Sequence, residues 1–234
     1  MKGILHLLPV PLGENDPREV LTSVEFDIIA SLDCFIVEDI RSARRFLSKA
    51  GLKGKIEGLE FYELSEHTSP EVVSEYVKIL ENGRNVGLLS EAGLPAVADP
   101  GAVMVAAAHL HDIEVRPYVG PSSLMLTLMS SGLNGQSFAF NGYIPVKPEE
   151  RKNKIKLLEK LVYTLNQSQI LIETPYRNDS LLADILSVCK GDTLLTIGMD
   201  VTLPDQFLKT KSIEAWKRTG IKLGKKPAVF ILGR

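Results

Sequence analysis

The sequence predicts an α/β protein of two α/β domains, with a mostly parallel N-terminal sheet and a mixed C-terminal sheet. In the first half, short apolar runs alternate with helical patterns, which is typical of parallel strands covered by helices. In the second half, strands become more frequent and crossovers fewer, which favours a mixed sheet. The 234 residues leave room for two modest domains. We expect them to divide at the turn between Pro117 and Pro121, into residues 1–117 and 118–234.

The strands of the first half are short and apolar, and each is followed by a helix signal. Asp16, Pro17 and Glu19 form a predicted capping box that starts the first helix. Gly51 is placed to end the helix that follows the second strand. The remaining predicted helices of this half cover 41–50, 69–83 and 101–111, and the predicted strands cover 4–10, 34–37, 59–64, 85–89 and 114–119.

The second half is organised around a long charged helix that begins at Pro148. Strand and helix patterns alternate less regularly here, and the final strands are separated only by a short helix. Predicted helices cover 122–131, 148–165, 178–189 and 213–217, and predicted strands cover 137–141, 168–173, 193–199, 207–210 and 228–232.

Composition excludes several classes of protein. Hydrophobic residues make up 44% and charged residues 24%, which is ordinary for a globular chain. A net charge of -2 argues against a surface coated with basic residues, so any contact with nucleic acid must come from local clustering. Pro9 and Pro11 interrupt the first apolar run, which argues against a signal peptide, and no run has the length of a membrane span. We therefore expect a cytoplasmic protein without a membrane segment.

The cysteines and histidines predict neither a disulfide nor a metal site. Cys34 and Cys189 each lie in an apolar segment, and we expect both to be reduced core residues. His109 and His111 are two residues apart on a predicted helix and so point in different directions. The sequence also lacks the glycine-rich dinucleotide fingerprint after its first strand, a phosphate-binding P-loop and a nucleophile elbow.

Residues 90–101 carry the most informative loop, because it follows a predicted strand directly. Open α/β sheets bind ligands at the carboxyl ends of their strands. Gly93 lets a ligand approach the backbone, Pro95 stiffens the turn, and Glu91 can accept hydrogen bonds from a ribose or an amine. The alternative is that these residues only shape a turn, with Asp99 capping the next helix.

Three further loops end predicted strands in the same way. Residues 9–13 repeat the Pro and Gly pattern, and residues 119–123 offer serine hydroxyls and N–H groups to a carboxylate, or simple N-caps to a helix. Glu38, Asp39 and Arg41 place two carboxylates and a guanidinium at the end of the second strand. These can form a base and a substrate clamp, or an N-cap with a surface ion pair.

Taken in order and spacing, these loops resemble the tetrapyrrole methylase superfamily, and within it the branch that methylates a cytidine ribose 2′-hydroxyl in small-subunit ribosomal RNA. The resemblance covers nearly the whole chain. The motifs that match are T-P-I-G-N at 10–14, A-E-D-T-R at 37–41, S-D-A-G-T-P-x-I-x-D-P-G at 90–101, P-G-P at 119–121, S-G-L at 131–133, F-x-G-F-L-P-x-K at 140–147 and Y-E-S-P-H-R at 172–177.

The resemblance implies an S-adenosylmethionine-dependent methyltransferase, with the cofactor folded into the cleft between two α/β domains, and a homodimer. It implies no metal. It implies that the cofactor site is lined from the first domain by Pro11, Ser90, Glu91, Ala92, Gly93, Val97, Ser122 and Ser123. From the second domain it implies Gly142, Tyr143, Met199, Pro227 and Ala228.

The same comparison predicts the catalytic and RNA-binding residues. Asp39, or Glu38, is expected to remove the proton of the acceptor hydroxyl, and Arg41 is expected to orient a phosphate or the partner carboxylate. RNA contact is expected on the basic residues Lys147, Arg151, Lys152, Lys154 and Lys156, and on Arg41, Arg44 and Arg45. The alternative for the 147–160 run is a solvated helix face whose lysines pair with neighbouring glutamates.

Several residues depart from the motifs and keep other substrates open. Glu14 replaces Asn, Ile40 replaces Thr, Glu91 replaces Asp, Tyr176 replaces His, and Met199 replaces Arg. Pro227 and Ala228 are closer to the tetrapyrrole-modifying branches. Three hypotheses follow: an RNA ribose methyltransferase, a methyltransferase of another, small-molecule substrate, and a non-catalytic protein that binds S-adenosylmethionine.

Overall fold

The computed structural model describes all 234 residues, which form two compact units, Met1–Ser122 and Ser123–Arg234. The division falls after Ser122, whereas the sequence analysis places it after Pro117. Residues 118–122 belong to the first unit because they pack on its first strand. The Tyr118 hydroxyl lies 2.8 Å from Nδ1 of His6. Gly120 packs so closely on Pro9 that an added Cβ would lie 2.1 Å from the proline Cβ.

The first unit is built on a five-stranded parallel sheet with the strand order β3-β2-β4-β1-β5. Its strands are β1 (Ile4–Leu8), β2 (Cys34–Val37), β3 (Glu60–Glu63), β4 (Val86–Leu89) and β5 (Glu114–Pro117). Its helices are α1 (Ser23–Ser31), α2 (Ile40–Leu47), α3 (Pro70–Glu81) and α4 (Ala102–Leu110).

Helices cover both faces of this sheet, as the apolar character of its strands predicts. Every residue of β2 and β4 is buried. On one face, Ile36 and Leu88 pack against side chains of α3 and α4 such as Val77 and Met104. On the other face, side chains of β1, β2 and β4 pack against α1 and α2. Two apolar faces leave the strand ends as the place where polar side chains can gather.

The prediction that a helix begins at Asp16 is wrong. Asp16 caps only a 3₁₀ turn, Pro17–Glu19, by accepting a 2.9 Å hydrogen bond from the Arg18 N–H. The helix α1 begins at Ser23, where the Glu25 carboxylate accepts a 2.8 Å hydrogen bond from the backbone N–H of Thr22. Both segments have capping-box spacing. Burial decides between them, because the helix that begins at Ser23 places apolar side chains in the core.

The second unit contains a mixed five-stranded sheet with the order β6-β7-β10-β8-β9, in which only β6 and β7 are parallel. Its strands are β6 (Phe138–Tyr143), β7 (Ser168–Glu173), β8 (Leu194–Met199), β9 (Phe207–Ser212) and β10 (Ala228–Gly233). Its helices are α5 (Ser123–Ser131), α6 (Pro148–Leu165), α7 (Asn178–Val188) and α8 (Ile213–Lys217). The first sheet is therefore parallel and the second is mixed, as the sequence predicts.

The core of the second unit lies between its sheet and the helices α6, α7 and α8. Trp216 is fully buried there and donates a 2.8 Å hydrogen bond from Nε1 to the Leu195 carbonyl. On the opposite face, Leu124 and Leu128 of α5 pack against Ile170 and Ile231.

The two cysteines are free and buried, as predicted. Burial raises the pKa of the Cys34 thiol to about 11 and that of Cys189 to about 12, so both thiols stay protonated and unreactive near neutral pH. No group of three or more metal-ligating side chains comes together in the structure. None of the helices combines the length and apolarity needed to span a bilayer.

Candidate functional site

The strand order of the first unit creates a ligand-binding position between β2 and β4. The chain leaves β2 towards β3 on one side and leaves β4 towards β5 on the other. Such a reversal opens a crevice at the carboxyl ends of the two strands, where α/β proteins bind ligands. The loops at this point begin with Glu38 and Ser90, and both carry predicted site residues.

The loops after β1 and β4 are joined by an isolated antiparallel bridge between Val10 and Gly93. Each residue donates its N–H to the other's carbonyl oxygen, with N–O distances of 2.9 and 3.1 Å. Gly93 has a φ of 78° and lies against Leu12 and the Pro121 carbonyl. The bridge therefore holds three predicted ligand loops, after β1, β4 and β5, in contact with one another.

The loop of residues 90–101 holds backbone conformations that cost energy. Ala96 and Ala98 have φ values of 66° and 56°, in the left-handed region that costs an L-residue about 1–2 kcal/mol. Oδ1 of Asp99 stabilises this shape by accepting hydrogen bonds from the N–H groups of Ala96, at 2.9 Å, and Gly101, at 2.7 Å. Strain of this kind is typical of loops shaped for a ligand.

The predicted cofactor residues of this loop differ in exposure. Glu91, Ala92 and Val97 are exposed, while Gly93 is buried. The Ser90 hydroxyl is turned into the loop, where it donates to the carbonyl oxygens of Ala92 and Gly93 at 3.3 and 3.4 Å. The loop thus presents backbone and short side chains to a ligand, and Ser90 stiffens it from within.

The two carboxylates after β2 have different environments. Asp39 is the N-cap of α2, because its Oδ1 accepts a 2.7 Å hydrogen bond from the Ser42 N–H, and hydrogen bonding from the Ser42 side chain and N–H lowers its pKa. Glu38 is exposed, yet partial desolvation by its surroundings raises its pKa, and the nearby carboxylates of Asp99 and Glu91 raise it further. Glu38 also accepts a hydrogen bond from the Glu91 N–H. Of the two, Glu38 is tuned towards the pKa of a general base.

A surface cavity lies beside this point, between α2 and the loop after β1. Ser42, Arg45 and Lys49 line it from one side, at the helical spacing i, i+3 and i+7 that puts them on a single face. Nζ of Lys49 lies 2.7 Å from Oε2 of Glu14. The other residues of the lining are Val10, Pro11, Gly13, Asn15, Pro17, Phe46 and Glu91. Two predicted cofactor residues therefore share a cavity with basic side chains.

The five predicted cofactor residues of the second unit lie at or beside one end of its sheet. Ala228 pairs with Glu173 of β7 on one side and with Met199 of β8 on the other. Tyr143, at the end of β6, pairs with Ile172 of β7. One end of the sheet is therefore formed by the last residues of β6, β7 and β8 and the first residue of β10. Gly142 and Pro227 lie beside it. Gly142, Tyr143, Met199, Pro227 and Ala228 are assigned to the cofactor only by the motifs.

The expectation that Arg151 contacts RNA is wrong. Arg151 is buried and bound to Asp184 of α7, so it is unavailable to a ligand. Lys152 also reaches Asp184, at 3.8 Å, and Lys147 pairs with Glu150 at 3.2 Å. In α6, Lys156 is exposed. The 147–160 run is therefore partly structural, and its remaining cations face solvent.

Curated relatives identify the family. A protein of Vibrio cholerae named ribosomal RNA small subunit methyltransferase I is 30% identical over 199 residues, covering 85% of this chain and 65% of the relative. A protein of the same name from Synechocystis is 30% identical over 203 residues, covering 86% of this chain and 67% of its own length. The chain belongs to the ribosomal RNA small subunit methyltransferase I family. The predicted resemblance is confirmed, although a scan of family models matched none.

This chain matches only part of the length of each relative. The chain spans just under two thirds of the Vibrio cholerae relative and 69% of a Mesorhizobium japonicum relative that is 29% identical over 215 residues. The relatives therefore contain further residues that this alignment does not include.

Solved structures confirm the fold over the whole chain. The methyltransferase CobJ is similar with a TM-score of 0.67 and 16% identity, covering 100% of this chain and 95% of its own. A uroporphyrin-III C-methyltransferase from Thermus thermophilus, complexed with S-adenyl homocysteine, gives a TM-score of 0.57 and 16% identity, covering 99% and 97%. At these identities the likeness establishes the architecture predicted for a tetrapyrrole methylase.

Two parts of the site were missed by the sequence analysis. The i, i+3, i+7 spacing of Ser42, Arg45 and Lys49 was available as a signal for one polar helix face. The hydrogen bonds that Asp99 accepts within its own loop gave no such signal, because they depend on the left-handed conformations of Ala96 and Ala98. Asp99 was interpreted only as a helix cap.

Proposed function

We propose that this protein is an S-adenosylmethionine-dependent methyltransferase that methylates a ribose 2′-hydroxyl in small-subunit ribosomal RNA. The observation that carries the proposal is the bridged set of loops at the carboxyl ends of β1, β4 and β5, in a chain whose family is named for this activity. A ribosomal substrate implies a cytoplasmic enzyme.

The residues of the first unit fit the cofactor. Ala92 is exposed and directly precedes the buried Gly93, so a ligand can lie against this part of the loop without meeting large side chains. We assign to the cofactor Pro11, Ser90, Glu91, Ala92, Gly93, Val97 and Ser122 of the first unit, and Ser123, Gly142, Tyr143, Met199, Pro227 and Ala228 of the second. When bound, S-adenosylmethionine supplies an electrophilic methyl group, so the reaction needs no metal.

Two tasks remain for the protein: to position the acceptor hydroxyl and to take its proton. Positioning of the reactants can contribute roughly 7–11 kcal/mol to lowering such a barrier. We assign the proton to Glu38, whose raised pKa and place at the strand reversal suit a general base. Asp39 would hold α2 in place as its N-cap. Arg41, exposed on the first turn of α2, would orient a phosphate of the RNA.

We further propose that the protein is a homodimer. β6 is an edge strand, and its aromatic side chains at Phe138 and Phe140 are exposed on the same face. Exposed aromatic residues on an edge strand favour association with another chain. Light scattering of the purified protein would give twice the mass of the 25.7 kDa chain, and a monomeric mass at micromolar concentration would contradict the proposal.

The function is tested by calorimetry with S-adenosylmethionine followed by methyl transfer. Purified protein is incubated with labelled S-adenosylmethionine and small ribosomal subunits, and the RNA is digested to nucleosides. We expect 2′-O-methylcytidine. Cofactor binding with transfer only to a metabolite extract would favour a small-molecule substrate, binding without any transfer would favour a non-catalytic protein, and no binding would overturn all three hypotheses.

A further inference from the structure

Tyr176 is a solvent-exposed aromatic side chain near the end of the second sheet that carries the predicted cofactor residues. It lies on the 3₁₀ turn Pro175–Arg177 directly after β7, and 78% of its surface is exposed. A tyrosine usually buries most of its ring because the ring is apolar. The exposed ring of Tyr176 is therefore available to pack against a binding partner.

The turn leaves the sheet at the edge that carries the predicted cofactor residues. Glu173, the last residue of β7, pairs with Ala228, and Ala228 pairs in turn with Met199. Tyr176 follows Glu173 by one turn of chain. A group bound on its ring would thus lie beside the edge where the cofactor residues of this unit gather.

The base of the turn is fixed although its tip is exposed. The side chain of Glu173 is 0% exposed and accepts hydrogen bonds from Nε of Arg177 at 2.9 Å and from the Thr174 N–H at 2.7 Å. Nδ2 of Asn178 donates to the Lys226 carbonyl at 2.7 Å, which ties the turn to the loop before β10. The turn that carries the ring is therefore already ordered, so a ligand that stacks on Tyr176 need not order this backbone.

One cation, Lys225, lies over the ring, while the neighbouring Arg177 and Lys226 are paired with Glu173 and Asp200. Nζ of Lys225 lies 4.9 Å from its centroid, and Arg177 and Lys226 are its neighbours on the two connected loops. Lys226 is also held, by Asp200 at 2.5 Å. An exposed aromatic ring beside a cation is an arrangement that proteins use to stack the unpaired bases of single-stranded RNA while attracting the phosphates.

We propose that Tyr176 is a stacking platform for an unpaired nucleobase of the RNA substrate, with Lys225 as its cationic partner. This inference rests on the proposed function, because it names how that substrate is held. Lys225 covers one face of the ring, so the base stacks on the other. The histidine of the family motif is replaced by a larger aromatic ring, which retains the π-face that stacking requires.

The test measures base stacking separately from catalysis. A single-stranded RNA oligonucleotide containing 2-aminopurine is titrated with wild-type protein and with the variants Tyr176→Phe, Tyr176→Ala and Lys225→Ala. Lys190→Ala is the matched control, because Nζ of Lys190 lies 4.3 Å from the ring centroid of Tyr163 in the same cation–aromatic arrangement. KM for small ribosomal subunits and calorimetry with S-adenosylmethionine are recorded for each variant.

We expect the wild-type protein and Tyr176→Phe to quench 2-aminopurine and to share one RNA affinity. Tyr176→Ala should weaken RNA binding roughly 5- to 150-fold, the usual effect of removing a stacked ring, and raise KM while the cofactor affinity is retained. Lys225→Ala should weaken binding more than Lys190→Ala. Equal quenching and affinity in Tyr176→Ala, or equal losses in the two lysine variants, would overturn the platform.

Failure of the platform and failure of the proposed function give different results. If the wild-type protein methylates subunits and Tyr176→Ala does so with an unchanged KM, the platform alone is refuted. If the wild-type protein transfers no methyl group to RNA but still quenches the oligonucleotide through Tyr176, the platform stands and the proposed reaction fails.

Discussion

Arg151 and Asp184 form a buried ion pair that joins α6 to α7. Nε of Arg151 donates to Oδ2 of Asp184 at 2.6 Å, and Nη1 donates to the Val146 carbonyl at 3.1 Å. The two side chains are only 8% and 13% exposed. Arg151 lies in a basic stretch that predicts nucleic-acid contact, but in the structure it stabilises the packing of α6 against α7.

Replacing Arg151 with alanine should destabilise the protein strongly. Breaking a buried pair costs about 3–5 kcal/mol of unfolding free energy, and the remaining contact of Asp184 with Lys152, at 3.8 Å, places the expected loss at the lower end of that range. The exposed Lys156 is the matched control on the same helix, and Lys156→Ala should change stability by less than about 0.5 kcal/mol. Urea unfolding followed by circular dichroism measures both. Similar unfolding free energies in the two variants would contradict this account of Arg151.

Gly93 should not tolerate a side chain. Its φ of 78° disfavours any L-residue, and an added Cβ would lie 3.1 Å from Cδ2 of Leu12 and 3.3 Å from the Pro121 carbonyl oxygen. We expect Gly93→Ala to lower stability by about 1–3 kcal/mol and to weaken S-adenosylmethionine binding, because the bridge to Val10 is distorted. Gly54→Ala, at a glycine with nothing within 4 Å of an added Cβ, is the control. Calorimetry with cofactor affinity unchanged in Gly93→Ala would count against the loop as the cofactor wall.

The secondary structure that follows from strong local signals was predictable from the sequence. The bounds predicted for α6, β7 and α8 are those observed. In α6, Pro148 starts the helix, and Asn166, with a φ of 51°, ends it. The first helix was misplaced because two capping patterns lie in succession, and only the tertiary core selects the second. Local propensity cannot weigh a burial that depends on distant strands.

The candidate site was predictable in its loops and not in its electrostatics. Strand ends carrying Gly, Pro and Ser indicated where a ligand binds. The pairing of Lys49 with Glu14 and the approach of Asp99 to Glu38 each join residues that are far apart in the chain. Such contacts follow from strand order and loop conformation. A short stretch of sequence predicts neither the strand order nor the loop conformation.

Glu14 should limit the attraction of RNA to the cavity beside α2. Its carboxylate holds Nζ of Lys49 at 2.7 Å, and this contact lowers the pKa of Glu14. Glu14→Asn, the residue of the family motif, should release the lysine to pair with a phosphate. We expect tighter RNA binding at low salt and a slope of log affinity against log salt that is steeper by about 0.7 per added contact.

Glu75→Gln provides the control for this change. It removes the same charge from an exposed position of α3, away from the cavity. Fluorescence anisotropy of a labelled RNA oligonucleotide over a range of salt concentrations measures both variants. If Glu14→Asn and Glu75→Gln shift the affinity equally, the effect comes from net charge and the release of Lys49 plays no part.

Glu38 should set the acid side of the pH profile of methyl transfer. Its carboxylate must be ionised to accept a proton, and partial desolvation together with Asp99 and Glu91 raises its pKa. The rate should therefore fall as the pH falls through that raised pKa, and Glu38→Gln should lose most of the activity and this inflection. Because general bases contribute about 10²- to 10⁴-fold to rates, the loss should lie in that range.

The stability of the Glu38 variant should move in the opposite direction to its activity. A carboxyl group whose pKa is raised on folding contributes stability that is fully present below its unfolded pKa and is lost as the pH rises through the folded value. At neutral pH the ionised Glu38 therefore opposes folding, and Glu38→Gln should unfold at the same or a higher urea concentration than the wild-type protein. Asp39→Asn, which keeps an N-cap acceptor for the Ser42 N–H, should retain both stability and the acid inflection. Methylation rates that collapse in Asp39→Asn while Glu38→Gln stays active would instead assign the base to Asp39.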